Sequence, residues 1–367
     1  MADLKLGNVT VSNMYLGNAP INRVYQGNTL VWEKSKHTYA FAGNHISEII
    51  YDAATDSFGT KTIHELDYLI LDELNLGNQI AILGAKKSGT NYDFSIYLYD
   101  KRMHPVKTIF LCNHTLYTPD VNNSYYGLHY GNGRFFAIVH KDGFLYNRSG
   151  NIIPVSMTYN GSTCIPRFYG YDKNADRFYT PGPGTFSYIN EDTGAFEDSG
   201  IGGFFKSPCA CIHAAHAIYD KSSNTFTMER TNTASLTCCI VSPSSGNSLN
   251  KKVYGYSKTS ATFRLKRYKD MVLLAGYAST PAILKTGSAN DISCSLLYFE
   301  SGVLKYYYGV DIDATNKDNV VAMMCTYGIS YSVLLVDVTT GSRVGLVELP
   351  ANTFMSISHL SAFIEHI

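Results

Sequence analysis

Apolar and polar positions along the chain alternate in short bursts bounded by Gly, Asn, Asp and Ser, with almost no stretch that repeats at helical spacing, a pattern of strands and tight turns. Two periods are superimposed on it. Over the first 33 residues the pairs Gly7-Asn8, Gly17-Asn18 and Gly27-Asn28 recur every ten residues, each flanked by apolar side chains such as Leu6 and Val9, Tyr15, Leu16 and Ile21, or Tyr25, Leu30 and Trp32. A Gly at the first central position of a two-residue turn supplies the positive φ that matches the twist of paired strands. Residues 4–33 therefore read as a three-turn β-meander, too small to bury both its faces. The polar run Lys34-Ser35-Lys36-His37 follows it and marks residues 34–37 as a linker.

From residue 38 onward the period is longer. A polar turn precedes a strongly apolar run at Gly77-Asn78, Gly131-Asn132, Asn174-Ala175-Asp176, Ser223-Asn224, Lys269-Asp270 and Lys317-Asp318, in steps of 44 to 54 residues. A second marker trails it, a strand closing on a tight turn: Tyr99-Asp100, Tyr146 to Gly150, Ile189 to Gly194, Val241 to Gly246, Tyr298 to Gly302 and Val336 to Gly341. Two hairpin turns per unit of about 47 residues make four strands per unit, the blade of a propeller. Tyr51-Asp52 carries the second marker without the first, and residues 354–364 alternate as strands do. Sharing one blade between the termini predicts a closed seven-bladed β-propeller over residues 38–367 and removes two free sheet edges. Six or eight blades fit the same spacing, and a series of lectin-like sandwiches is the alternative fold.

Composition supports an all-β reading and narrows the partners. The 29 Tyr and 18 Phe against one Trp suit pleated sheets. Charged residues are 16% of the chain, and 30 Lys plus Arg balance 30 Asp plus Glu, which gives no electrostatic drive toward nucleic acid or an anionic membrane. No run of about 18 apolar residues is present, and nothing near Met1 has the form of a secretory signal, so the expectation is a protein made in the cytoplasm without membrane insertion. Eight scattered cysteines read mostly as free, buried thiols packed as small hydrophobes.

Motif by motif, the chain offers little chemistry. Cys209, Cys211 and His213 share one face of a strand and are a weak metal candidate, because structural zinc sites space their cysteines by two to four residues. Asp311 to Asn316 begins like a calcium loop without its Gly and acidic twelfth position, and reads as an Asx-rich turn. His64-Glu65 lacks the second His of a zincin helix and reads as a loop between blades, and no nucleophile elbow, phosphate loop or sialidase Asp-box occurs. The expectation is a protein that is not an enzyme and holds no cofactor. Tyr gives large, rigid contact surfaces, so Tyr125 and Tyr126, and Tyr306, Tyr307 and Tyr308, are candidate recognition positions. The stretches Asn113 to Ser124 and Gly276 to Asp291 read as longer surface insertions.

The Gly-Asn ladder with Leu6, Tyr15, Leu16, Tyr25 and Trp32 resembles a short hairpin segment of bacteriophage tail and other virion proteins. The likeness covers residues 1–33. It implies a virion protein of the tail, present in multiple copies, that docks on other phage proteins through those five residues. Behind them stands a domain displayed to a host-surface glycan or protein, or one that contacts only other virion subunits. A propeller-type glycan hydrolase or lyase is the third expectation, and a bacterial adaptor the fourth.

Overall fold

The computed structural model describes residues 37–117 and 125–155 throughout, and 170–202 and 308–350 apart from three short connections. Elsewhere it describes the strands and not the connections between them. There is no helix among the described residues, and none long and apolar enough to cross a membrane.

Three hairpins come first: β1 (Lys5–Leu6) with β2 (Val9–Thr10), β3 (Met14–Leu16) with β4 (Ala19–Ile21), and β5 (Arg23–Gln26) with β6 (Thr29–Glu33). Their registers pair Leu6 with Val9, Leu16 with Ala19 and Gln26 with Thr29, the residues on either side of each Gly-Asn pair in the sequence. The expected meander is a row of three separate two-stranded hairpins.

Seven four-stranded antiparallel sheets follow, each in simple sequential order. The first holds β7 (His37–Ala42), β8 (His45–Asp52) and β9 (Ser57–Glu65), and the second holds β10 (Leu69–Asn75), β11 (Gln79–Ser88), β12 (Asn91–Asp100) and β13 (Pro105–His114). The third runs β14 (Tyr125–Gly131), β15 (Arg134–His140), β16 (Asp142–Tyr146), β17 (Ile152–Val155), and a small hairpin, β18 (Thr158–Tyr159) with β19 (Ser162–Thr163), comes after it. The fourth has β20 (Gly170–Asp172), β21 (Arg177–Pro181), β22 (Thr185–Ile189), β23 (Phe196–Gly202); the fifth β24 (Ala217–Asp220), β25 (Thr225–Asn232), β26 (Ser235–Val241), β27 (Ser248–Lys252). The sixth has β28 (Phe263–Tyr268), β29 (Met271–Gly276), β30 (Ala282–Ser288), β31 (Asp291–Phe299); the seventh β32 (Tyr308–Ala314), β33 (Val320–Tyr327), β34 (Ser330–Asp337), β35 (Ser342–Glu348). The last strand, β36 (His359–Phe363), pairs with β7 and is the innermost strand of the first blade. The protein is a seven-bladed propeller closed by a blade shared between its two ends. His37 already belongs to β7, so the linker is one residue shorter than its polarity suggests.

The apolar runs behind the polar turns are the second strands of the blades, and their burial explains why they lack alternation. Such a strand has a neighbouring blade against each face. Ile80 and Ile82 pack with Phe41, Ile46 and Ile70 toward the first blade, while Ala81 and Leu83 pack with Leu128, Phe135 and Ala137 of the third. Phe136 and Ile138 then point the other way, onto Phe178 and Ile189 of the fourth. The same period of two recurs across the closure, where Val321 and Met323 meet Leu273 and Ile283, and Val320, Ala322 and Met324 meet Ala40, Ile49 and Leu360. Outer strands are different: β13 exposes most of its positions, including Val106 and Phe110.

Polar side chains tie blade to blade. Asp72 accepts the Glu73 N–H at 2.9 Å with one carboxylate oxygen and the Leu128 N–H of the next innermost strand at 2.7 Å with the other. Asp313 repeats this with the N–H groups of Ala314 at 2.8 Å and Ala362 at 3.1 Å. Asp311 to Ala314 is thus strand, with a turn only from Thr315, which corrects the Asx-turn expectation. His64 and Glu65 close β9, where a ring nitrogen of His64 lies 2.7 Å from the Met103 carbonyl oxygen, so they are not a loop. In the first, fourth and seventh blades the second marker is an Asx cap: Asp337 accepts the N–H groups of Thr339 and Thr340, Asn190 those of Asp192 and Thr193, and Asp52 that of Ala54. In the sixth blade it falls instead at the end of outermost β31. Gly276 to Asp291 contains β30, a blade strand and not an insertion.

Candidate functional site

Because successive strands of a blade run antiparallel, its first-to-second and third-to-fourth turns lie on one face of the ring. The second-to-third turns and the links to the next blade lie on the other. The strand ends on the second face are the ones joined by the longest stretches of sequence, 115–124, 156–169, 203–216, 253–262, 300–307 and 349–358. Long connections on a rigid scaffold are where recognition and catalysis are built.

On that second face, between the second and third blades, the described residues converge in one cluster. His114 ends β13 and His140 ends β15, with Tyr117 in the connection between the blades and Asp142 opening β16. The pairing Val139↔Asp142 makes His140-Lys141 a two-residue loop, and His140 takes φ 59° at the position that favours Gly. A side chain held there costs on the order of 1 kcal/mol. The Tyr117 and His140 rings stack with centroids 4.3 Å apart at 25°, and His114 lies 5.9 Å from Tyr117 and 5.8 Å from His140. His114 Nδ1 donates to the Thr115 carbonyl at 3.0 Å, and its Nε2 stands 3.8 Å from Asp142 Oδ2.

Tyr126 organises the cluster from below. Its hydroxyl accepts the Tyr117 N–H and donates to the Tyr117 carbonyl, both at 3.0 Å. The Tyr126 ring is 1% exposed and stacks on Phe94 at 5.9 Å. Tyr126 is therefore a core residue and not a recognition surface; the strand register turns it inward, and its one polar atom is spent on holding the connection. Tyr117, by contrast, is 41% exposed.

Burial, then the charge of Lys141 and the neighbouring His114, hold the His140 imidazole below its ordinary range, so it is neutral at pH 7. Its Nδ1 is buried and has no hydrogen-bond partner among the described residues. Burial, with Asp142 nearby, pushes the thiol of half-buried Cys112 up to about 12, which makes it an inert packing group and not a nucleophile. The face thus offers a partly exposed aromatic ring, two imidazoles and an exposed carboxylate.

The other expected site residues fall elsewhere. Tyr125 pairs with His140 at the edge of the cluster, though its side chain lies outside the described residues. Tyr308 opens β32 opposite Thr326. Tyr306 and Tyr307, and Cys209, Cys211 and His213, lie outside the described residues. Leu6, Tyr15, Leu16, Tyr25 and Trp32 all sit in hairpin strands, and their side chains are likewise outside the description. Among the described residues no group of three or more His, Cys, Asp or Glu could hold a metal ion. His114, His140 and Asp142 carry no sequence motif. The available signals were the flagged stretch from Asn113 and the tight turn Val139-His140-Lys141-Asp142, which has no Gly.

No protein-family model matches the chain, and a search of curated protein sequences finds no match. Solved structures do match. A Bacteroides fragilis propeller assigned as a 6-phosphogluconolactonase superposes with a TM-score of 0.57 at 10% identity, over 89% of this chain and 98% of that one. A protein from Lactobacillus plantarum gives 0.56 at 10%, covering 89% and 99%. The periplasmic gluconolactonase of Pseudomonas aeruginosa gives 0.54 at 9%, covering 89% and 99%. The shared feature is the propeller. At these identities the likeness carries the fold alone. The expectation that the chain is not an enzyme is corrected by that fold: enzymes are built on it, so an absence of linear motifs decides nothing. Residues of different blades meet in the ring without leaving a linear motif, as His114 and Asp142 do.

Proposed function

We propose that the protein is a bacteriophage tail component, docked on the virion by its three N-terminal hairpins and presenting the long-connection face of its propeller to the host surface. One observation carries the reading: the ring closes on itself through β36 and β7, and none of the six hairpin strands belongs to a blade. An appended row of hairpins that the ring does not need for closure is free to serve attachment. Deleting residues 1–33 tests it directly. The shortened chain should fold, and should be missing from particles assembled in its presence. Incorporation at the level of the full chain, or loss of folding, would contradict the assignment.

A second reading rests on the likeness to gluconolactonases together with the His114, His140 and Asp142 cluster. Hydrolysis of a sugar lactone needs a base that takes a proton from water as it attacks the ring carbonyl, and an imidazole serves at neutral pH. A pH-stat assay on glucono-δ-lactone decides it. Acid release above the spontaneous rate, abolished in His114→Ala, supports the reading, and the spontaneous rate alone removes it.

A further inference from the structure

We infer that Tyr117, flanked by His114, His140 and Asp142, is the binding platform for one neutral pyranose ring of a surface glycan, which rests on the host-facing reading and gives it a ligand class. Three observations lead there. The first is the platform. The Tyr117 ring stacks on His140 at 4.3 Å with His114 5.9 Å away, and the residue is 41% exposed, which leaves aromatic surface for a ligand. An aromatic face takes the apolar C–H side of a sugar ring, and Tyr does so at little entropic cost.

The second is preorganisation. Both backbone polar groups of Tyr117 are held by a single hydroxyl from the core, that of Tyr126, and His140 is fixed in a left-handed conformation beneath the ring. A platform that does not have to be ordered on binding wastes little of a weak ligand's affinity.

The third is charge. Asp142 is exposed, with its side chain at 56%, and is free to accept hydroxyl protons from a diol, while His114 beside it at 3.8 Å offers a ring nitrogen. Lys141 and Asp142 balance each other, and His140 is neutral for the reasons given above. A charged sugar of either sign would have to shed its hydration and meet one like charge on a face with no net charge to repay it. A neutral ring meets neither cost.

Saturation-transfer NMR on the full chain tests this. The probes are methyl glucopyranoside, methyl galactopyranoside and methyl mannopyranoside, with sialic acid as the anionic contrast. At least one hexoside should receive saturation, concentrated on the protons of one sugar face. Tyr117→Ala should weaken its binding by at least about tenfold with an unchanged melting curve, whereas Tyr117→Phe keeps it. Asp142→Asn, at an exposed position, should also weaken binding and serves as an independent probe where Tyr117→Ala impairs folding. Saturation of none of the three hexosides, full binding in Tyr117→Ala, or preference for sialic acid each overturns the site. Particle incorporation reports separately: a particle-borne protein without sugar binding removes this site alone, and a sugar-binding protein absent from particles removes the virion reading alone.

Discussion

Closure by β36 makes the most exacting prediction. The strand contributes five residues paired with β7, from His359↔Phe41 to Phe363↔His37. Leu360 is fully buried among Ala40, Ile49, Val320 and Leu335. Its truncation, Leu360→Ala, removes a packed side chain at a site hemmed in by two blades and should cost about 3 kcal/mol. In a ring of this size, with an unfolding entropy of about 2 cal/mol/K per residue, each kcal/mol corresponds to about 1.5 °C, so Tm should fall by about 4–5 °C. Ending the chain at residue 358 removes more. Asp313 loses the Ala362 N–H, and Asn75 loses the Ala362 carbonyl that its side-chain amide reaches at 2.9 Å. At about 1–2 kcal/mol for each stranded polar group, the total reaches about 6 kcal/mol and a drop of about 9 °C. It also leaves β7 as a bare edge, prone to pair with other chains. Calorimetry of the three proteins is the assay, with light scattering for aggregation. A chain ending at 358 that melts with the full-length protein would refute the shared blade.

Two further predictions concern the face away from the long connections. A Cβ on Gly194 (φ 68°) would overlap the Pro154 carbonyl oxygen, and one on Gly341 (φ 67°) would come within 2.5 Å of that of Leu297, whereas one on Gly77 (φ 84°) meets nothing. Alanine at 194 or 341 should therefore cost more than about 2 kcal/mol and alanine at 77 about 1 kcal/mol; equal losses in urea titrations would contradict the blade contacts. Across the third and fourth blades, Arg134, with 2% of its side chain exposed, pairs with Asp176 at 2.6 Å and with Glu191. Hydrogen bonds from Tyr171 and Asn132, then from Arg148, with the charge of Arg134, hold the Asp176 carboxyl well below the usual carboxylate range. Its stabilisation is complete above the unfolded pKa of about 4 and is lost as pH falls below it. Asp176→Asn should lower Tm at pH 7, and the gap to the natural chain should narrow toward about pH 3. A gap that does not change with pH would contradict this pairing.

The ring was legible in the sequence because its physics is local. A second strand buried on both faces reads as an unbroken apolar run, as at Ile80 to Leu83 and Val320 to Met324. In the described third-to-fourth turns an Asx side chain satisfies backbone N–H groups, so Asp52, Asn190 and Asp337 mark the period. Tyr298 to Gly302, which has no Asx, falls at the end of the outermost strand β31, one strand later than its spacing predicts. Terminal pairing was legible through the half-unit at Tyr51-Asp52 and the alternation near the end of the chain. The site was not. His114, Tyr117, His140 and Asp142 meet only because two blades are adjacent, and the meeting leaves no spacing in the sequence. Tyr126 was misread for a related reason, since which of Tyr125 and Tyr126 faces the core is set by strand register and not by the Tyr-Tyr pair itself.

The proposed attachment of this propeller to a virion is best tested by cryo-EM of purified phage particles from a host that makes the chain. The account predicts the N-terminal hairpins seated on neighbouring tail subunits and the face bearing Tyr117 and the long connections open to solvent. A propeller held by that face with its hairpins unattached, or particles without the chain, would contradict it.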